Sequence, residues 1–228
     1  SHMCIRESLL FVTFLFSLFC GICLIHAASG PVYVYYQDET GASRKPTYTY
    51  TNKYMSSIGY SVEGRKNWDS SGLLYALDDA KIFVAHFHGS PGKQDTGYIN
   101  GQSYGIAGRN ADGTYYKNVN TMANNSASQL KMAIFYGCST GDPNSTFGNL
   151  PYTIVNRGAQ TAVAWTVTTY VPEVNEWNRL FFEKAKEDTI VESFRHADYW
   201  LRVNKGDIAG DRMQKNRNEA GNIYGYVY

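Results

Sequence analysis

Two apolar runs in this chain end in residues able to move protons and attack carbonyls. The first, KIFVAHFHG, closes on His88 and Gly89, and the second, KMAIFYGCSTG, carries Cys138 fifty positions after that histidine. A thiol is mostly protonated at neutral pH, but its thiolate attacks an amide carbonyl once it is held in place. An imidazole can take the thiol proton or hand one to the departing amine. The chemistry of the pair is therefore hydrolysis of an acyl bond, with Cys138 as nucleophile and His88 as acid and base. The backbone N–H groups of Gly89 and Cys138 are the natural donors to the tetrahedral oxyanion, each worth roughly 3 to 4 kcal/mol. No third, orienting residue can be picked from the sequence. Nothing in this chemistry requires a cofactor or a metal.

Cys138 is the one cysteine outside the N-terminal leader, because Cys4, Cys20 and Cys23 all lie within it. A lone thiol in a chain bound for an oxidising compartment is either inert and buried or kept for its reactivity. Residues 1–3, Ser-His-Met, read as an expression remnant. Residues 4–28 read as a signal peptide or a retained signal anchor, with an apolar stretch from Leu9 to Ile25 followed by small residues. This predicts a secreted or extracytoplasmic protein, in contact with a membrane only if the leader is retained. The remaining residues, 29–228, are enough for one well-buried domain. A net charge of +1 with 18% charged residues offers no basic stripe for nucleic acid.

The elements that must position the two residues alternate between strand-like and helix-like, the pattern of a mostly parallel sheet covered on both faces. PVYVYY opens as a strand, a weak helix lies around Asn52–Ile58, and YSVEGR follows as a second strand. Ser70–Ala80 carries Leu73, Leu74 and Leu77 at helical spacing. The two functional runs have the continuous apolarity of strands buried on both faces. Period two places Ile82, Val84, His86 and His88 on one face of the first, and Phe83, Ala85 and Phe87 on the other. Gly89 to Asn118 reads as loop or hairpin. After Cys138 come a turn-rich stretch, a short helix, the strand GAQTAVAW and two amphipathic helices, the second opening on the capping box Thr189-x-x-Glu192. GNIYGYVY reads as a closing strand.

A hydrophobic run ending His-Gly, a second ending in a small residue and Cys, a strand of the type RGAQTAVAW and a following helix pair together resemble the caspase-like superfamily of cysteine peptidases. The resemblance spans about Pro31 to Leu201. It implies a caspase-like three-layer α/β/α sandwich with a mostly parallel central sheet, His88 and Cys138 as the dyad, Gly89 aiding the oxyanion, and a peptide or protein as substrate. It also implies that the segment after AVAW, with Thr166, Val167 and Thr168, builds part of the pocket for the side chain preceding the scissile bond. Caspases carry Gln-Ala-Cys-x-Gly around the nucleophile. This chain reads Tyr136-Gly137-Cys138-Ser139-Thr140-Gly141, so it is not a true caspase and aspartate specificity does not carry over. Glu173 and Asp142 are both available as acidic groups for a pocket taking a basic side chain.

Other readings compete. Gly137-Cys138-Ser139-Thr140-Gly141 satisfies the G-x-S-x-G elbow of an α/β-hydrolase, with Ser139 as nucleophile and His196 as the only later histidine. That reading needs a helix directly after the elbow, where Asp142-Pro143-Asn144 favours a turn. His86 and His88 on one strand face begin a metal site, but the following Gly-Ser-Pro-Gly supplies no further ligand. A catalytically silent domain of the same fold that binds peptides or partners is the remaining alternative.

Overall fold

The structure, a computed structural model, describes residues 29–38 and 43–228. The expectations about the leader lie outside the described residues, among which no helix is long and apolar enough to cross a membrane. Strand β1 (Pro31–Tyr36) leads into α1 (Lys45–Ser56), β2 (Ser61–Lys66), α2 (Leu73–Asp79) and β3 (Ile82–His86). Four short strands follow, β4 (Gly89–Ser90), β5 (Lys93–Ile99), β6 (Gln102–Ala107) and β7 (Tyr116–Asn118), the last running into a 3-10 turn. Then come β8 (Met132–Phe135), α3 (Leu150–Val155), β9 (Thr161–Trp165), α4 (Val171–Ala185), α5 (Ile190–Lys205), α6 (Asp207–Lys215) and β10 (Arg217–Gly221).

The main sheet has the order β2-β1-β3-β8-β9-β10, parallel throughout except for the β9–β10 pair. Alternation along the strands divides the core as the period-two reading predicts. Val32, Val34, Ile82, Val84, Ile134, Val163 and Trp165 pack on one face against α1, α4 and α5. Tyr33, Tyr35, Phe83, Ala85, Phe135 and Ala164 pack on the other against α2 and α3. The result is the expected three-layer α/β/α sandwich. Every residue of β3, β8 and β9 is buried, which accounts for their unbroken apolar sequences. The two edge strands are marked by charge instead: Glu63, Arg65 and Lys66 on β2, Arg217 and Glu219 on β10.

Several elements differ from the sequence reading. The helix expected around Asn52–Ile58 begins earlier, at Lys45 with a proline in its first turn, and ends at Ser56. Its buried face is Thr47, Thr51, Tyr54 and Met55, half of it polar, so hydrophobic periodicity is faint there. Gly89–Asn118, read as loop or hairpin, does contain a hairpin, β5–β6, and goes further in forming a second sheet, β4-β5-β6-β7. Its central hairpin turns at Asn100 and Gly101, both in the left-handed region (φ 50° and 79°), the requirement of a type I′ turn. Helix α6 was not anticipated. GNIYGYVY is not the closing strand: that strand is Arg217–Gly221, antiparallel to β9. Past Gly221 the chain serves α5 instead. The carbonyls of Gly225 and Ile223 accept the N–H groups of Ile190 and Val191 (2.9 and 2.8 Å), first-turn donors that a helix cannot satisfy itself.

Candidate active site

The β3–β8 register brings the two runs together. Each paired residue of β3 faces the β8 residue fifty positions later, from Ile82 opposite Met132 to Ala85 opposite Phe135, and the same interval separates His88 from Cys138. Pairing extends one step beyond the strand, where Tyr136 N–H donates to the Ala85 carbonyl (2.9 Å). The two strands then leave the sheet in backbone contact. A methyl group built on Gly89 would fall 2.8 Å from Gly137 Cα, and one built on Gly137 would fall 2.9 Å from Gly89 Cα. Only glycine at both positions permits this approach. His88 and Cys138, the neighbours of these glycines, both lie just past the carboxyl ends of the parallel strands, where open α/β sheets bind ligands.

His88 is exposed and His86 is sealed beneath it. The His86 Nδ1 lies 2.7 Å from Thr47 Oγ1, whose hydroxyl donates to Asn175 Oδ1 (3.2 Å). Burial, and after it the charges of Arg44 and His88, hold His86 well below the usual imidazole range. Arg44, at the entry to α1, brings its guanidinium within 3.4 Å of His88 Nε2. A guanidinium has only donors, so Nε2 is the acceptor of this contact. Asp95 on β5 is a group that sequence reasoning missed. Its N–H donates to the His88 carbonyl (3.1 Å), and its buried carboxyl accepts from Tyr116 Oη (2.6 Å). Burial pushes that carboxyl up, against the downward pull of the Tyr116 bond and of His88. The hairpin carrying it has no apolar or catalytic signature, and only its length marked it.

Cys138 is half-buried, with Sγ 3.9 Å from the Thr169 carbonyl. Among the described residues, no acceptor bonds its N–H. Gly89 faces Gln94 across a non-hydrogen-bonded position, because Asp95 N–H spans to the His88 carbonyl. Both N–H groups considered for the oxyanion are thus unspent on the ladder. Ser139 sits at φ 56° with its N–H on the Val167 carbonyl (3.0 Å), and turns rather than a helix follow it. His196 lies beside Arg179, Glu183 and Trp200 between α4 and α5, so Ser139 does not gain its histidine.

The segment after β9 walls a cavity of about 480 Å³ lined by Val167, Thr168 and Tyr170, with Ile208, Asp211 and Arg212 of α6 and Asn216 opposite. Thr166 instead gives its N–H and its hydroxyl to the Asn216 carbonyl (2.8 and 3.2 Å). Glu173 is engaged by Arg212 through both oxygens (2.7 and 2.6 Å), and Arg212 also lies over the Tyr170 ring. Asp142 accepts the N–H of Asn144 (2.9 Å). Among the described residues no three His, Cys, Asp or Glu side chains converge as a metal site would require.

No protein-family model matches the chain, and no curated protein matches it in sequence. Solved structures do. The Arg-specific cysteine proteinase gingipain R superposes with a TM-score of 0.64 at 13% identity, over 87% of this chain and 47% of that one. A complex of the pro- and mature domains of RgpB from Porphyromonas gingivalis gives 0.59 at 11% identity, over 87% and 49%. The separase–securin complex of Saccharomyces cerevisiae gives 0.54 at 14% identity, over 86% and 12%. The fold is the caspase-like one that the sequence resembled. The chain spans about half the length of the gingipain chains and a small part of the separase complex chain.

Proposed function

We propose that this protein is a cysteine peptidase in which the Cys138 thiolate attacks the scissile carbonyl and His88 exchanges protons with the thiol and the leaving amine. The observation that supports this reading is the backbone contact of Gly89 with Gly137 just past the paired ends of β3 and β8, which brings the chain carrying His88 against the chain carrying Cys138. The N–H groups of Gly89 and Cys138 stabilise the oxyanion. Likeness to cysteine proteinases supports the reaction class, and the arginine specificity of gingipain R is not carried over, since Arg212 already occupies Glu173. Thr168 and Val167, on the cavity wall, contact the substrate side chain that precedes the cleaved bond, with Thr166 bracing their segment. The apolar leader supports action outside the cytoplasm.

Hydrolysis of a positional-scanning peptide library by wild type and Cys138→Ala tests the proposal. Removal of the thiol lowers turnover at least about a thousandfold, and His88→Ala acts comparably. Unchanged hydrolysis by Cys138→Ala would end the assignment. A silent peptide-binding domain gives a different result: no turnover from wild type, and a Cys138 thiol that iodoacetamide labels no faster than the unfolded chain.

A further inference from the structure

We propose that Gln94 is a positioning residue of this site: its buried amide ties the main chain that carries His88 to the main chain that carries Cys138, and Thr169 completes the hold. The inference rests on the peptidase reading above. Gln94 is wholly buried on β5. Its Nε2 donates to the carbonyls of His88 (3.2 Å) and Asp95 (2.8 Å). Its Oε1 accepts the N–H of Gly137 (2.7 Å) and the hydroxyl of Thr140 (3.4 Å). One orientation of the amide satisfies all four partners, and the flipped one would set nitrogen against N–H and oxygen against two carbonyls.

The Tyr136–Gly137 peptide is gripped from both sides. Gln94 holds its N–H, and the Thr169 hydroxyl donates to its carbonyl (2.8 Å). This plane immediately precedes the nucleophile's residue pair, so its tilt sets where Sγ and the Cys138 N–H point. On the other strand the same glutamine holds the carbonyl of the base's own residue. Gln94 also removes the Gly137 N–H from the oxyanion, leaving that task to Gly89 and Cys138. A misplacement near 1 Å at such a site costs about 100-fold in rate.

A side chain here must donate and accept at its tip. An amide does so at any pH, and a carboxyl only while protonated. Gln94→Glu is therefore a pH-dependent replacement: protonated, its one O–H donates to one of the two carbonyls while its other oxygen still accepts; ionised, it sets acceptors against both the His88 and Asp95 carbonyls. Burial raises the introduced carboxyl above its usual value of about 4.3.

The measurement is the rate of Cys138 alkylation by iodoacetamide from pH 5 to 8, located by mass spectrometry, in wild type, Gln94→Glu and Thr169→Val. The rate of Gln94→Glu relative to wild type is expected to be highest at pH 5 and to fall by about a further tenfold or more by pH 8. Thr169→Val is expected to be slower by about threefold to tenfold with no pH trend in its ratio. A ratio for Gln94→Glu that stays flat, with a fast wild type, overturns the positioning role alone. A wild-type thiol no faster than that of the unfolded chain overturns the peptidase reading and this inference with it. Should Gln94→Glu fail to fold, Thr169→Val decides: an unchanged rate overturns the hold on the Tyr136–Gly137 peptide.

Discussion

His86, sealed under the rim, makes folding itself sensitive to acid. The unfolded chain protonates this imidazole near its ordinary pKa of about 6.5, whereas burial keeps the folded group neutral far below that. Below pH 6.5 the unfolded state therefore binds the extra proton, and stability is lost as pH falls from there toward the depressed folded value. The slope reaches up to about 1.4 kcal/mol per pH unit. Urea unfolding of wild type and His86→Asn between pH 5 and 7 should show this component in wild type and its loss in the variant. The glycines beside the site make a second case at the same scale. In Gly137→Ala the methyl meets Thr140 Oγ1 at 2.5 Å, Gln94 Oε1 at 2.7 Å and Gly89 Cα at 2.9 Å. Strain of this kind costs about 1 to 3 kcal/mol, and a drop in melting temperature accompanied by slower Cys138 labelling is the expected result.

Between elements, the antiparallel strand β10 is fastened to the helical layer by a buried ion pair. Arg217 meets Asp198 of α5 at 2.8 Å, with both side chains almost fully enclosed, and Trp177 Nε1 of α4 donates to the same carboxylate (2.8 Å). Removing one partner strands the other charge, so Asp198→Ala should destabilise by about 3 to 5 kcal/mol in urea titrations, and Asp198→Leu with Arg217→Met should recover much of it. None of this pairing was legible beforehand. Strands β3, β8 and β9 and the stripes of α4 and α5 could be read because their burial is apolar and periodic: Val174, Trp177 and Phe181 on one helix, Ile190, Phe194 and Leu201 on the other. The capping box was equally legible, and the Thr189 side chain accepts the Glu192 N–H. Elements buried through polar groups were not. Thr47 and Thr51 hid the start of α1, Gln94 and Asp95 lay unmarked in a segment read as loop or hairpin, and Arg217 and Asp198 are charges that meet only after the fold has formed. His88 and Cys138 stood out because each ends an apolar run, whereas the residues that orient them do not.

For the molecule as a whole, the strand order joins segments distant in sequence, with β8 inserted beside β3 and β1 between β2 and β3. The amides of β1, β3, β8 and β9, paired on both sides, should exchange with solvent only through global unfolding, while β2 and β10 exchange earlier through edge opening. Hydrogen exchange followed by mass spectrometry reads this directly, and equal protection of centre and margin would contradict it. The margins have a further effect. An incoming strand finds Glu63, Arg65 and Lys66 along one border, and on the other a short strand whose Arg217 is turned inward onto Asp198. Neither border offers an apolar ridge to lie on. Edge-to-edge joining of this main sheet with that of another copy is thereby disfavoured.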